Sequence, residues 1–465
     1  MRRALRLERA AFFVLVALAS AVPTAAAPRH PAGDGEVHAG GKVAYPLKLS
    51  ANRRYLVDQR NRPFMIVGDS PQALIGNVSV KDASAYIKNR KAAGFNALWI
   101  NLLCTKYTAC RDDGTTFDGI KPFTTPGDLS SPNPAYFARA GLMLGLAKRA
   151  GLVIFLDPIE TGGWLGTLRR NGPAKAREYG RFLGRRFKQF PNIVWMSGND
   201  FQSWQSADDD NLVHAVAEGI HATDPSHLQT IELDYPTSGS RDDPRWLDVI
   251  GLDAAYTYYP TYAQVLREYN RTPSLPVFMV EAGYEFEQNG SSISPGDPPI
   301  LRRQEYWSLL SGATGQFYGN HYTWQFESDW KKHLDTTGSR QMRYLIRLFS
   351  GRRWFQLVPD QAHRVVTAGF GRFTTQGNVG SSNYVTTAMT QDGTLAVSYL
   401  PTGGTITVDA ARFGGRVRAR WYDPTNGTLS KVAHSPFGNS GRIRVTAPAR
   451  NHAGDHDWVL LLTAH

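Results

Sequence analysis

The sequence predicts an α/β fold, a (β/α)8 TIM barrel followed by a small antiparallel β-sandwich domain, and three observations carry that prediction. Eight apolar runs recur with helical patterns between them, most of these runs end in a polar side chain, and beyond Pro359 the pattern changes to short alternating segments. Continuous apolar runs bounded by turn residues read as strands covered on both faces, as in a parallel sheet packed between helices. Eight is the number a closed barrel needs.

The runs occupy residues 64–69, 95–101, 152–157, 192–200, 228–233, 248–253, 276–282 and 315–321. After the first, Ser79-Val-Lys-Asp82 reads as a capped helix start, and Gly94 as the stop just before the second run. Asn133-Pro134 supplies an N-cap and first-turn proline for a helix that ends at Gly151. Residues 102–131 read instead as an elaborated rim loop. Between the fifth and sixth runs, Pro236, Gly239 and Pro244 leave little room for a regular helix, so a degenerate connection is expected. Trp99 and Trp195 fall inside runs and read as barrel filling. Past Pro359, segments 394–399, 405–409, 415–422, 442–446 and 458–463 are separated by turns such as Pro401-Thr-Gly-Gly404 and Asp423-Pro-Thr-Asn-Gly427. They read as an antiparallel sandwich of about 100 residues.

The amino terminus carries Arg2, Arg3, Arg6 and Arg9, a short apolar stretch and Ala25-Ala26-Ala27, the pattern of a cleaved signal peptide over residues 1–27. The expected organisation is a barrel domain over 28–358 and a β-sandwich domain over 359–465, secreted or otherwise extracytoplasmic, with no stable membrane insertion after cleavage. Formal charge is +12, of which the leader contributes +3. The rest is spread along the chain in pairs such as Arg169-Arg170, Arg185-Arg186 and Arg302-Arg303, most of them read as solvated helix faces. No basic block with interleaved aromatics marks a nucleic-acid partner. The only cysteines, Cys104 and Cys110, are expected to form one disulfide pinning the rim loop. No cofactor is implied: the chain has no His-Glu-x-x-His, Gly-x-Ser-x-Gly or Walker-type motif. His452, Asp455, His456 and Asp457 read as a turn before the last strand rather than a metal site.

The chemistry lies at the ends of the runs. Asp69, Asn101, Asp157, Asp200, Asp253, Glu281 and His321 all fall at or just past a run's carboxyl end, the face where α/β barrels place their chemistry. Asp200 and Glu281, after the fourth and seventh runs, form the pair of carboxylates that glycoside cleavage requires. A protonated carboxyl meets the negative charge on the departing oxygen, and an ionised one meets the positive charge on the sugar ring. Glu281 is the expected nucleophile and Asp200 the expected acid/base, retaining if they stand about 5–5.5 Å apart. Asn199 is placed to bond a hydroxyl beside the reacting carbon. Asp69, Asn101, Asp157, Asp253 and His321 are further substrate-binding candidates. Tyr256, Tyr284 and Trp324, with Trp164, Trp204, Tyr258 and Tyr259, are candidates for an aromatic platform against the apolar faces of sugar rings.

Several motifs resemble a known family. Asn52-Arg-Arg-Tyr-Leu-Val-Asp-Gln-Arg-Asn-Arg-Pro-Phe-Met-Ile-Val-Gly-Asp69, Ala93-Gly-Phe-Asn96, Pro191-Asn-Ile-Val-Trp195, Arg303-Gln-Glu-Tyr-Trp307 and Tyr318-Gly-Asn-His-Tyr-Thr-Trp324 resemble the apiosidase-like glycoside hydrolases. Trp421-Tyr-Asp-Pro-Thr-Asn-Gly427 and Asp457-Trp-Val-Leu-Leu-Leu462 resemble the β-domain usually attached to them, which carries a collagen-binding name. The resemblance implies a barrel with an Asp acid/base after strand four and a Glu nucleophile after strand seven, which fall on Asp200 and Glu281, and it adds Tyr318 to the substrate-binding candidates. Two departures stand out. Asp69-Ser-Pro-Gln72 replaces the family's Asp-Thr-Ala-Trp, and Asp200 stands where the wider clan has Glu. The expected function is a secreted retaining glycoside hydrolase acting on a cell-wall or plant-derived glycan. The alternative is a non-catalytic carbohydrate-binding or surface-adhesion protein on the same barrel.

Overall fold

A computed structural model describes residues 42–234, 236–288 and 294–465; the expected signal peptide lies outside them. The described residues contain eight parallel barrel strands: β1 Ile66–Asp69, β2 Ala97–Asn101, β3 Val153–Asp157, β4 Ile193–Phe201, β5 Gln229–Leu233, β6 Asp253–Thr257, β7 Val277–Glu281 and β8 Gly315–Tyr318. The outer helices are α1 Val80–Ala93, α2 Pro134–Ala150, α3 Thr161–Phe187, α4 Ala207–Thr223, α5 Thr261–Tyr269, α6 Pro298–Leu310 and α7 Thr337–Ser350. Local signals act as expected: Ser79 accepts from the Asp82 amide, Asn133 from the Ala135 amide, and Gly94 and Gly151 end their helices with left-handed backbone.

Alternate strand residues fill the barrel. Ile66, Trp99, Phe155, Met196, Tyr256, Phe278 and Phe317 form one interior cluster, joined by Leu47 and by Leu56 and Phe64 of a small amino-terminal sheet. Gly68 is required because the Phe317 ring occupies the space where its Cβ would lie, 2.3 Å away. Trp195 points the other way, into the helix layer, where its indole donates to Asp224 at 2.9 Å. Its odd position relative to Val194 and Met196 sets that side, and the expectation of barrel filling holds for Trp99 alone.

The degenerate connection is present and its consequence is structural. Between β5 and β6 the chain runs through a strand at Thr237–Gly239, antiparallel to β6, and 3-10 turns at Ser240–Asp242 and Pro244–Asp248. β5 and β6 share no ladder. Ser240 Oγ bridges them instead, donating to the Ile231 carbonyl at 2.5 Å and accepting from the Ala254 amide at 2.8 Å. The apolar run 248–253 therefore leads into β6 rather than forming it, so Asp253 opens the strand that it was expected to close.

From Leu357 onward two antiparallel sheets pack face to face. The strands are β9 Leu357–Pro359, β10 Val366–Ala368, β11 Thr386–Thr390, β12 Leu395–Leu400, β13 Thr405–Asp409, β14 Val417–Tyr422, β15 Leu429–Lys431, β16 Arg442–Thr446 and β17 Trp458–Ala464. The sheets are ordered β9-β11-β12-β17-β14-β15 and β10-β13-β16. The larger sheet also packs on α6 and α7, with Tyr306, Trp307, Tyr399 and Tyr422 in one shared cluster. Arg302, expected on a solvated face, is buried there: it donates to both Asp457 oxygens at 2.7–2.8 Å and to Asp455 at 2.7 Å. These contacts also account for the acidic residues of the cluster at 452–457.

Removing one member of a buried ion pair strands the other charge. Arg302→Ala is expected to destabilise the chain by about 3–5 kcal/mol in chemical denaturation; a loss below about 1 kcal/mol would contradict the assigned role.

Candidate active site

The carboxyl end of β4 departs from regular strand geometry. Gly198, Asn199 and Asp200 have φ of +117°, +72° and +56°, and β4 uses four steps from Ser197 to Phe201 where β5 uses two from Ile231 to Leu233. Left-handed backbone disfavours side chains by about 1–2 kcal/mol per residue, least for Asn and Asp. The sequence Gly-Asn-Asp is therefore the composition this bulge demands. A Cβ at Gly198 would lie 2.1 Å from the Glu232 carbonyl oxygen. Thr161, at the start of α3, donates its hydroxyl to the Gly198 and Asn199 carbonyls at 2.6 and 3.1 Å. The Glu232 side chain accepts from the Asp200 amide at 3.4 Å.

On the opposite side, β7 carries one extra residue against β6, so that Glu281 falls opposite Tyr256, an interior position. Among the described residues its carboxylate accepts from three tyrosines: Tyr258 at 2.6 Å, Tyr284 at 2.7 Å and Tyr256 at 3.2 Å. Tyr256 also lies near enough to Asp200 to favour its ionised form. Tyr107, from the loop after β2, donates to Asp200 at 2.5 Å. Asn199 donates to Gln72 at 3.2 Å, and Gln72 donates to Tyr284 at 3.2 Å, which links the two strand ends through side chains.

The electrostatics follow from crowding carboxyls in a dry mouth. Burial and the Asp200 charge push Glu281 up, against the donors Tyr258 and Tyr284. Burial also raises Asp200, against the bond from Tyr107 and the nearby Tyr256 hydroxyl. Glu232, buried beside both, is driven well above the carboxylate range, first by burial and then by the Glu281 and Asp200 charges. Like charges this close do not all ionise. Glu281, with three hydroxyl donors, is the carboxyl best equipped to carry the charge, and Glu232, with one amide, is the least.

The other expected site residues divide. Asn101 and Asp157 lie in register at the ends of β2 and β3, fully buried beneath the carboxylates. Asn101 accepts from the Trp99 indole at 3.1 Å and Asp157 from the Ile159 amide at 3.1 Å. Asp69 points to the helix layer, where it accepts from Tyr86 at 2.6 Å, Arg90 at 3.2 Å and its neighbouring amide at 2.8 Å. Tyr318 is directed outward to Glu285, in the cluster shared with α6 and α7. Asp253 sits at the amino-terminal end of β6 near Glu268 and Arg241. His321 and Trp324 gather on Glu287 at 3.0 and 2.5 Å rather than on the carboxylate pair. Trp164 is buried against Phe123, whereas Trp204 is exposed.

Cys104 and Cys110 are disulfide-bonded. Their loop is anchored by Glu160, which accepts from the Thr105 amide at 2.6 Å, the Thr105 hydroxyl at 3.0 Å and the Thr108 hydroxyl at 2.9 Å. Burial raises Glu160 to about 7 despite these donors. Sequence reading named Gln72 only as a departure from the family's motif, and it passed over Glu232, Tyr107 and Glu160. Only Glu232 gave a signal, as a carboxyl inside an otherwise apolar run.

Comparison with known proteins accords with this arrangement. A family described as "Apiosidase-like, catalytic domain" matches residues 50–356. The chain belongs to the apiosidase-like family. A second family, described as "Putative collagen-binding domain of a collagenase", matches residues 374–463. Among solved structures, one titled glycoside hydrolase is 22% identical with a TM-score of 0.78, covering 90% of this chain and 97% of its own. A glycoside hydrolase family 5 protein from Bacteroides vulgatus ATCC 8482 is 21% identical with a TM-score of 0.77, covering 90% of this chain and 93% of its own. At these identities the likeness shows the fold. No curated protein matches the chain. The apiosidase-like catalytic domain makes this chain a glycoside hydrolase.

In this hydrolase Glu160, raised to about 7, holds a proton that the unfolded chain releases near 4.5. Its contribution to stability is thus fully present below about pH 4.5 and lost as pH rises through 7. The denaturation midpoint is expected to fall between pH 5 and pH 8.5, and Glu160→Gln to remove about 3 kcal/mol of that slope. A flat profile would contradict the assignment.

Proposed function

We propose that this glycoside hydrolase works with retention of configuration, Glu281 as nucleophile and Asp200 as acid/base, on an exported enzyme's substrate such as a cell-wall or plant-derived glycan. The observation that carries this reading is that the two carboxyls meet at one barrel mouth, close enough for the Asp200 charge to act on Glu281, whose oxygens accept from Tyr258, Tyr284 and Tyr256. Retention uses a separation of about 5–5.5 Å between the two carboxyls, and inversion the wider one of about 6.5–9.5 Å that admits water between carboxylate and sugar.

In the first step a Glu281 carboxylate oxygen attacks the anomeric carbon, the glycosidic C–O bond breaks, and Asp200 gives its proton to the leaving oxygen. In the second, Asp200 takes a proton from water as that water's oxygen attacks the anomeric carbon and Glu281 leaves. The tyrosines around Glu281 stabilise the carboxylate both before attack and after release. Asn199, held by Gln72, stands beside the same centre and supports the contact to a sugar hydroxyl. The leader at residues 1–27 supports export.

The test is the anomer released from pectic and cell-wall glycans, followed by NMR during the first turnovers. Retained product is expected. Glu281→Gln should abolish turnover, and Asp200→Asn should slow glycan cleavage by about 10²–10⁴-fold while sparing aryl glycosides with acidic leaving groups in the first step. First-formed inverted product, or undiminished turnover in Glu281→Gln, would refute the mechanism. Glycan binding without release would favour a binding protein on this barrel.

A further inference from the structure

The loop closed by the disulfide is fitted into the barrel rim with unusual economy of space. Its 3-10 turn, Lys106–Thr108, is closed by Ala109 in left-handed backbone, and the Cys110 amide returns to the Thr105 carbonyl at 2.8 Å. Three glycines outside the loop make room for it. A Cβ at Gly76 would lie 2.7 and 2.9 Å from the two sulfurs, one at Gly162 would lie 2.3 Å from the Tyr107 ring, and one at Gly163 would lie 1.8 Å from Thr105 Oγ1. No side chain larger than hydrogen is compatible with the loop in this position.

The segment that receives the loop also holds the acid turn. In Glu160-Thr161-Gly162-Gly163, Glu160 anchors Thr105 and Thr108, Thr161 bonds the Gly198 and Asn199 carbonyls, and the glycines seat Thr105 and Tyr107. Loop and turn are thus fixed to one tetrapeptide, and their joint product is the contact from Tyr107 to Asp200. A residue serving only to pack would be covered. Tyr107 is 46% exposed, with its hydroxyl on the carboxyl and one side of its ring against Gly162.

Resting on the assignment of Asp200 as acid/base, we propose that Tyr107 is the positioning residue for that acid and that its exposed ring forms the wall on which the leaving group stacks. A hydroxyl donating to a carboxylate favours its ionised form. Tyr107 therefore makes Asp200 a stronger acid in the first step and stabilises the carboxylate in the second, when it draws a proton from water. The other groups facing Asp200 are Glu232 from β5, Tyr256 from β6, Tyr258 just beyond it, and Glu281 from β7. Among these, Glu232 and Glu281 oppose its ionisation. The ring offers a flat apolar face to the sugar or aryl group beyond the cleaved bond, the geometry that carbohydrate C–H faces select.

The test uses full-length protein carrying Tyr107→Phe, Tyr107→Ala or the double Cys104→Ser/Cys110→Ser change. Asp200 is titrated directly by ¹³C-carboxyl NMR, its signal assigned from Asp200→Asn, and kcat/KM is measured against pH on 4-nitrophenyl and phenyl glycosides of the sugar the wild type releases. Tyr107→Phe is expected to raise the Asp200 titration and the alkaline limb by about one pH unit with KM little changed. Tyr107→Ala should add a several-fold rise in KM, and the cysteine variant should shift the limb in the same direction. Loss of effect in Asp200→Asn on the phenyl glycoside would overturn the acid assignment itself. With that effect intact, an unmoved Asp200 titration in Tyr107→Phe, or a lowered KM showing that the ring merely blocks the mouth, would overturn this inference.

Discussion

The active face is organised around one strained turn. Gly198, Asn199 and Asp200 all take left-handed backbone at the end of β4, a conformation of about 1–2 kcal/mol per residue that survives only where its surroundings over-determine it. Here the surroundings are the Thr161 hydroxyl on two carbonyls, the Glu232 carboxyl on the Asp200 amide, and the close passage of Gly198 over the β5 backbone. The turn lifts the chain out of the sheet and presents Asp200 to Glu281 across the mouth. It also gives a physical reason for an aspartate where the wider clan has glutamate: the shorter side chain tolerates left-handed backbone, and the two extra residues of the bulge bring the backbone forward.

A second constraint follows from the first. Bringing Asp200, Glu232 and Glu281 together in a low-dielectric site forces their titrations upward and apart. What distinguishes them is the set of donors each has. Glu281 is ringed by hydroxyls, Asp200 has Tyr107, and Glu232 has one distant amide. Hydrogen bonding thereby sorts groups that burial alone would treat alike, and in the proposed mechanism the sorted order is nucleophile, acid, and a neutral carboxyl that supports the turn.

Much of this was legible in the sequence. The barrel strands follow from apolar runs because both faces of a parallel strand are buried, and the helix ends follow from local side-chain caps at Ser79, Asn133, Gly94 and Gly151. Asp200 and Glu281 follow from strand order. What failed was phase. The run at 248–253 has the composition of a strand, but hydrogen bonding to β7 starts only at Asp253, which moved that residue from the rim to the opposite end. Asp69 and Tyr318 end their strands yet face the helix layer, because a strand end fixes height and not side. Residues that act across loops, such as Gln72, Tyr107 and Glu160, leave no periodic signal at all. Their role appears only once three separate rim segments are brought together.

The central claim is that one negative charge is shared among three crowded carboxyls and resides on Glu281. Neutron diffraction on deuterium-exchanged crystals near pH 7 reads this directly. Deuterium on the Asp200 and Glu232 carboxyls, with none on Glu281, is the predicted result. Deuterium on Glu281 with Asp200 bare would reverse the roles of the two strands and contradict the account.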